Sequence, residues 1–352
     1  MSAATTRFRS PDEQRAILAL SLAAEVGPVG HRELLERFRS AARAIDSAVD
    51  PRAAAQAYAA ADSALAAAAA ADLGITTVAD DEYPPQLLHL HDPPPVLWSR
   101  GAWSTLAEPV VAIVGTRRAT SYGLRVTREL ASAFTRARAC VVSGMALGID
   151  ACAHRTALDG GGRTVAVLGT GANIAYPRAH SALHRQIAAA GLVLSERPPG
   201  AKSDLGSFPR RNRIIAALVR LVIVVEAPES SGALNTAKHA YNLGRDVGAV
   251  PGPIDSPQSV GTNQLIRDGA HAITSVADAL ALAGLEFRAP PAPVLNGDDE
   301  VRVWNALERS VASLDELCAR AALPVTRCLT AVTALELRGI IECALTGDVR
   351  RR

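Results

Sequence analysis

The chain has 352 residues with 37 basic and 35 acidic side chains, a formal net charge of +2. That is long enough for two or three domains and too balanced for a globally basic nucleic-acid coat, so any such binding falls to a local basic site. Aromatic residues make up 4% of it against 49% hydrophobic residues, so the core is built mainly from Ala, Val, Leu and Ile, and five scattered cysteines without a CxxC pair exclude a disulfide scaffold or zinc site.

Residues 11–72 read as helical. "PDEQRAILALSLAAEVGPVGHRELLERFRS" gives a proline and acids at a helix start, apolar residues at helical spacing, a Gly-Pro-Val-Gly turn and a second helix from about His31. Two short helices about such a turn resemble a helix-hairpin-helix unit; the plainer reading is a helical cap without a ligand. The alanine run "SALAAAAAADLG" is short and flanked by Asp62 and Asp72, and no charged start followed by an apolar stretch opens the chain. The expectation is therefore a cytoplasmic protein without a membrane span. Next comes "DDEYPPQLLHLHDPPPVLWSRG", whose prolines suit neither a central strand nor a helix interior, so it is expected to lie as a strap across the following domain.

From Val110 apolar runs alternate with amphipathic helices: "VVAIVG", "ACVVSG", "TVAVLG", "LVLSE", "LVIVVEA" and "DVGAVPG". Strand-length runs ending in glycine or polar residues predict an α/β fold, a mostly parallel sheet covered on both faces, with its ligand outside the carboxyl ends of the strands.

The first of those ends, "VAIVGTRRATSYG", offers Gly115, Thr116, Arg117 and Ser121 as an anion nest leading into a helix. Its spacing is neither GxGxxG nor GxxxxGK[ST], so neither a nicotinamide cofactor nor ATP is expected, and no cofactor or metal is assigned. In "VVSGMALGIDACAH", Gly144 permits a tight turn, Asp150 reads as the N-cap of the next helix, and His154 as a structurally paired histidine. Gly169 and Gly171 of "GTGANIAYP" are expected to let the chain pass close over a ligand. In "FPRRNRIIA", Phe208, Arg211, Asn212 and Arg213 present guanidinium forks suited to phosphate, with Arg210 as a mainly solvated charge. Ser231, Gly232 and Thr236 begin a helix facing the same crevice, with Lys238 further along it. Glu196 and Glu226 also follow strands there, and their expected role is to hold the arginines in fixed rotamers.

After a linker, "VRVWNALERS", "SLDELCARAAL" and "PVTRCLTAVTALELRGIIE" form three helical segments with Ser313 and Pro324 as start signals, and "IIECALTGDVRRR" closes as strand and turn. This suggests a winged helix. Nine acids against eight arginines across residues 298–352 favour an accessory or protein-contacting role over duplex reading.

Taken together, "IVGTRRATSYG", "SGMALGIDACAH", "TVAVLGTGANIAYP", "LSERPPG", "FPRRNRIIA", "VVEAPESSGALNTA" and "VPGPIDSPQSVGTNQLIRDGA" resemble, in unbroken order from about Tyr83 to Ala270, the DNA-processing family called DprA or Smf. The resemblance implies an extended Rossmann-like fold over residues 76–288, a small helical domain over 1–75, a linker at 289–297 and a winged-helix-like domain over 298–352. It implies a non-enzymatic, homodimeric, cytoplasmic protein that binds incoming single-stranded DNA in natural transformation, protects it and assists RecA loading. It assigns the phosphate-binding crevice to Gly115–Arg117 and Arg211–Arg213. Phe208, Tyr122 and Tyr176 are the aromatic residues available for stacking on bases.

Two other readings compete. The glycine-rich turns and "SSGALNTA" resemble in style the Rossmann-like nucleoside-monophosphate phosphoribohydrolases, in which Glu226 or Glu196 would attend glycosidic cleavage, although the PGG-type loop is missing. A transcription factor reading duplex DNA through the carboxyl-terminal domain is the third.

Overall fold

The computed structural model describes residues 11–23, 26–204, 206–286, 293–307, 312–344 and 347–351. The chain divides into two compact units, Met1–Arg288 and Ala289–Arg352.

The first unit opens with helices α1 (Pro11–Leu22), α2 (Pro28–Phe38), α3 (Ala41–Ala48) and α4 (Pro51–Ala70). Prolines start α2 and α4, where a missing amide is harmless; Ser40 and Asp50 cap α3 and α4 by accepting from the amides of Arg43 and of Arg52 and Ala53. Residues 24 and 25, between α1 and α2, lie outside the described residues. Ile17, Leu20, Ile45, Ala57 and Ala61 share one core with Val96 and Trp98 of the sheet, so these helices form a layer upon it.

Strands β1 (Gly74–Thr77) and β2 (Val96–Gly101) flank the proline-rich segment. The segment does lie as a strap over residues 79–95: Tyr83 is buried and its hydroxyl donates to the Pro94 carbonyl at 2.9 Å. Its last six residues overturn the expectation that it holds no central strand, because β2 pairs antiparallel on both edges, with β1 and with β6 (Leu192–Ser195). The prolines end at Pro95, so every residue of β2 has an amide to donate.

The remaining strands are β3 (Val110–Val114), β4 (Cys140–Ser143), β5 (Thr164–Val167), β7 (Leu221–Val224), β8 (Asp246–Ala249) and β9 (His271–Ala272). The nine-stranded sheet runs β1-β2-β6-β5-β4-β3-β7-β8-β9, parallel from β6 to β9. Alternation within β3 shows why both faces are covered. Val110, Ala112 and Val114 pack with α8 (Ser207–Leu218) and α9 (Gly232–Asn242), whereas Val111 and Ile113 pack with α5 (Ser121–Arg136), α6 (Ile149–Asp159) and α11 (Val276–Leu282). Helix α7 (Ser181–Ala190) joins the α1 to α4 side through Leu183 and Ile187, and α10 (Val260–Arg267) follows β8. This is the mostly parallel sheet that the apolar runs predict and the extended Rossmann-like fold that the resemblance implies.

The second unit holds α12 (Asp298–Ala306), β10 (Ala312–Ser313), α13 (Leu314–Ala321), α14 (Val325–Leu337), β11 (Ile341–Cys343) and β12 (Asp348–Arg351), with strand order β10-β12-β11. Ser313 and Glu316 form a capping box on α13, and Pro324 stands at the start of α14, where the sequence placed both starts. Val303, Leu317, Cys328, Leu335 and Val349 form its core. It is a winged helix.

Candidate nucleic-acid interface

From the neighbouring pair β3 and β7 the chain proceeds in opposite directions, through β4, β5 and β6 on one side and β8 and β9 on the other. Ligand crevices of parallel sheets lie outside the carboxyl ends of such a pair. The two loops leaving those ends hold each other. Thr116 N–H donates to the Glu226 carbonyl at 2.7 Å; the Glu226 carboxylate accepts from Thr120 N at 2.9 Å and from the Thr120 hydroxyl, while Thr120 caps α5. Glu226 thus fixes the loop that carries Arg117, and the structure corrects its expected role as a holder of the α8 arginines. On that loop Thr116 is buried, whereas Arg117 and Arg118 are exposed.

Arg211 lies behind the loop, buried, with Nη1 donating to the carbonyls of Gly144 (2.7 Å) and Val167 and Nε to Asn212 Oδ1 (3.2 Å). The guanidinium fits because residue 144 lacks a side chain: a Cβ there would stand 2.4 Å from it. Burial lowers the Arg211 pKa to about 10, Asp150 opposing the shift, so the group remains cationic at neutral pH. Asp150 does not cap α6, a position taken by Gly148. Its carboxylate turns back to accept from the amides of Gly144 (3.1 Å) and Ala146 (3.4 Å), and so occupies donors that an anion would otherwise meet.

His154 is fully buried, its Nδ1 2.7 Å from Thr164 Oγ1. The Thr164 hydroxyl donates to the Val141 carbonyl at 2.7 Å, which leaves Nδ1 to carry the proton of a neutral ring. Burial lowers its pKa to about 3. The histidine is structurally paired, with Thr164 as its partner.

Arg213, with 5% of its side chain exposed, donates from Nη2 to Glu196 at 2.5 Å and approaches Asp92 of the strap with Nε at 3.2 Å. Glu196 also stands 3.5 Å from Nε of Arg210, whose side chain is 49% exposed. Glu196 therefore orients arginines as the sequence suggests. Beside it opens a shallow pocket of about 100 Å³ lined by Gly169, Glu196, Arg197, Asp204, Ser207 and Arg210.

Phe208, second residue of α8, packs over Gly169, where a Cβ would lie 2.9 Å from the ring. Arg117 stands over the same ring, its Cζ 5.3 Å from the centroid, and the Tyr176 ring is centred 4.9 Å away at 37°. Tyr176 is 39% exposed, so a cation and two aromatic rings form an open platform. Tyr122 is turned away, its hydroxyl donating to the Pro251 carbonyl at 2.9 Å.

The other expected residues divide between wall and surface. Gly115 and Gly171 accommodate the protein's own Ile149 and Pro198 carbonyl, at 2.6 and 2.5 Å from a would-be Cβ, so their close approach is to protein and not to a ligand. Asn212 ties α8 to α9 through the Gly232 carbonyl (3.1 Å) and Asn235 (3.2 Å); Ser231 caps α9 and Thr236 is buried within it. Ser121, Gly232 and Lys238 are exposed. Sequence reasoning missed Arg118, while Arg210 points outward, 49% exposed, as it expected. The helical phase of α8 carried the signal: Arg211, Ile214, Ile215 and Leu218 are spaced i, i+3, i+4, i+7, one buried face.

Residues 74–284 match the sequence profile of the DNA recombination-mediator protein A family. The chain belongs to that family. Residues 287–344 match the DprA winged helix domain. A DNA processing protein DprA of Mycobacterium tuberculosis is 42% identical over 260 residues, covering 71% of this chain and 67% of the relative. The crystal structure of DprA from Streptococcus pneumoniae aligns with a TM-score of 0.69 at 34% identity over 79% of this chain and 99% of that one. The Helicobacter pylori DprA structure, described for its single-stranded DNA binding mode, aligns at 0.56 and 31% identity over 61% of this chain and 99% of that one.

Proposed function

We propose that this chain is a DNA-processing protein that holds single-stranded DNA across the carboxyl edge of its sheet, with phosphates at Arg117 and Arg118 and bases stacked on Phe208 and Tyr176. The observation that carries the reading is the Arg117–Phe208–Tyr176 stack, which reaches along the carboxyl edge of the sheet from the end of β3 and leaves Arg117 and Tyr176 exposed. Exposed aromatic rings can stack on an unpaired base, and a cation beside them can meet a phosphate; a duplex offers the second and hides the first. Arg211, buried behind the loop and paired with Asp150, holds the wall of the crevice. The single-stranded DNA binding mode described for the Helicobacter pylori relative supports the same ligand. Natural transformation and recombination, RecA as a partner, a homodimer and a cytoplasmic location complete the proposal by family kinship. Among the described residues no helix is long and apolar enough to cross a membrane.

The phosphoribohydrolase reading is weakened by Glu226, whose carboxylate is buried and bound by Thr120 rather than presented to a water or sugar. In the winged-helix unit each described arginine has an internal partner: Arg302 the Ala322 carbonyl, Arg320 Glu316, Arg327 Asp299, Arg338 Glu300, Arg350 Glu342, and Arg351 both the Trp304 carbonyl and ring. Among the described residues that leaves duplex reading without free guanidinium groups, and we assign the unit an accessory role.

Fluorescence anisotropy with labelled oligonucleotides tests the function. The expected result is tighter binding of a single strand than of the corresponding duplex; equal or stronger duplex binding refutes it.

A further inference from the structure

We propose that the pocket beside Phe208 reads one base of the bound strand and prefers guanine, an inference that rests on the single-strand reading above. The pocket holds two carboxylates, each beside an arginine: Asp204 Oδ2 lies 3.0 Å from Arg197 Nη1, and Glu196 Oε1 lies 3.5 Å from Arg210 Nε. Paired charges neither collect nor strongly repel a phosphate. They do set acceptors and donors side by side, which is what the edge of a base requires.

The carboxylates are held in place. Asp204 Oδ1 accepts from the Gly206 amide at 3.1 Å and the Ser207 hydroxyl at 2.7 Å, and Arg213 fixes Glu196 from behind at 2.5 Å. A carboxylate has about four lone-pair sites, so these bonds leave acceptor capacity toward the pocket, and Asp204 is open to solvent on its outer side. Guanine presents adjacent N1–H and N2–H donors that match two carboxylate oxygens, and its O6 and N7 acceptors match an arginine. Cytosine and adenine offer one amino group each. Thymine sets a single N–H between two carbonyls, which face a carboxylate unfavourably.

Position supports the same occupant. Gly169 lines the pocket and also lies against the Phe208 ring, so the pocket adjoins the platform on which a base would stack. Arg117 stands over the ring and Arg210 lines the pocket, so the flanking phosphates each have a cation nearby.

The test uses the full chain and labelled oligothymidylate of about 12 nucleotides, within the range of single-strand site sizes, with one central thymidine replaced by dG, dC, dA or deoxyinosine. The expected order is dG first, dC and dA next, and dT last, with dG tighter than dT by about fivefold or more. Inosine, which lacks the N2 amino group, loses most of the gain. In Asp204→Asn the ratio of dG to dT affinity falls toward one, while the Asn Oδ1 still accepts from Gly206 and Ser207; Glu196→Gln is the companion variant. Equal affinities for all the strands, dT bound tightest, or a dG gain that survives both substitutions overturns the base preference and leaves the single-strand reading standing. No binding of any strand overturns both.

Discussion

The guanidinium of Arg117 stands 5.3 Å from the centre of the Phe208 ring, although one residue leaves the end of β3 and the other opens α8. The loop of Arg117 is fixed by Glu226, and the ring of Phe208 by its seat over Gly169, so the pair is assembled before any ligand arrives. Preassembly of this kind removes ordering costs from binding.

The two halves of the pair are separable by salt. Arg117→Ala is expected to weaken single-strand binding by about 1.5–3 kcal/mol, roughly tenfold to over a hundredfold, and to flatten the slope of log affinity against log salt by about 0.7. Lysine at this position recovers part of the loss, since it restores charge without the fork. Phe208→Leu is expected to lose about 1–3 kcal/mol of base stacking with the salt slope unchanged. Anisotropy titrations across a salt series check both; equal slopes for the two variants contradict the division.

Arg211 belongs to the wall, so its removal should be felt as stability. Truncation strands the carbonyls of Gly144 and Val167 and leaves Asp150 buried without its cation, which should destabilise the first unit by about 3–5 kcal/mol. Gly144→Ala should destabilise as well, because the new Cβ would stand 2.4 Å from the guanidinium. Urea unfolding followed by circular dichroism measures this. An Arg211→Ala chain that unfolds like the parent but fails to bind DNA would make Arg211 a ligand group instead.

Acid should weaken the fold through its buried histidines. Burial lowers His154 to about 3 and His31 to about 4, while an unfolded histidine titrates near 6.5. Between those values the unfolded chain binds protons that the folded chain refuses, so the contribution is complete above pH ~6.5 and falls as the pH drops toward the folded values. Urea midpoints should decline between pH 7.5 and 5, and His154→Asn should make that decline shallower. An unchanged pH profile in the variant contradicts the neutral, buried imidazole.

A chain ending at Arg288, the boundary of the first compact unit, should keep the single-strand affinity of the full chain. Every described arginine beyond that point has an internal partner, so little electrostatic attraction is lost. A marked loss on truncation would give the winged helix a direct share in DNA binding.

Much of this was legible in the sequence because its central strands are uninterrupted apolar runs ending in glycine or polar residues, and β3 to β8 lie where those runs do. β2 was hidden by the three prolines that precede it, and β9 by a length of two residues. At the site, the loop of Arg117 and the ring of Phe208 could be read directly. The orientation of the arginines in "FPRRNR" could not be taken from their charge: apolar spacing decides it, and it turns Arg211 inward with Ile214, Ile215 and Leu218. Asp92 was invisible for another reason. Its partnership with Arg213 joins two segments through the tertiary fold, and no local pattern announces it.

The central claim is that single-stranded DNA lies on the platform of Arg117, Phe208 and Tyr176. Photo-crosslinking of a strand carrying 5-iodouracil, followed by tryptic digestion and mass spectrometry, tests it most directly because halogenated bases couple to aromatic rings stacked on them. The account predicts adducts on the peptides that hold Phe208 and Tyr176, reduced when Arg117 is replaced by alanine. Adducts confined to the winged-helix unit, around Trp304, would contradict it.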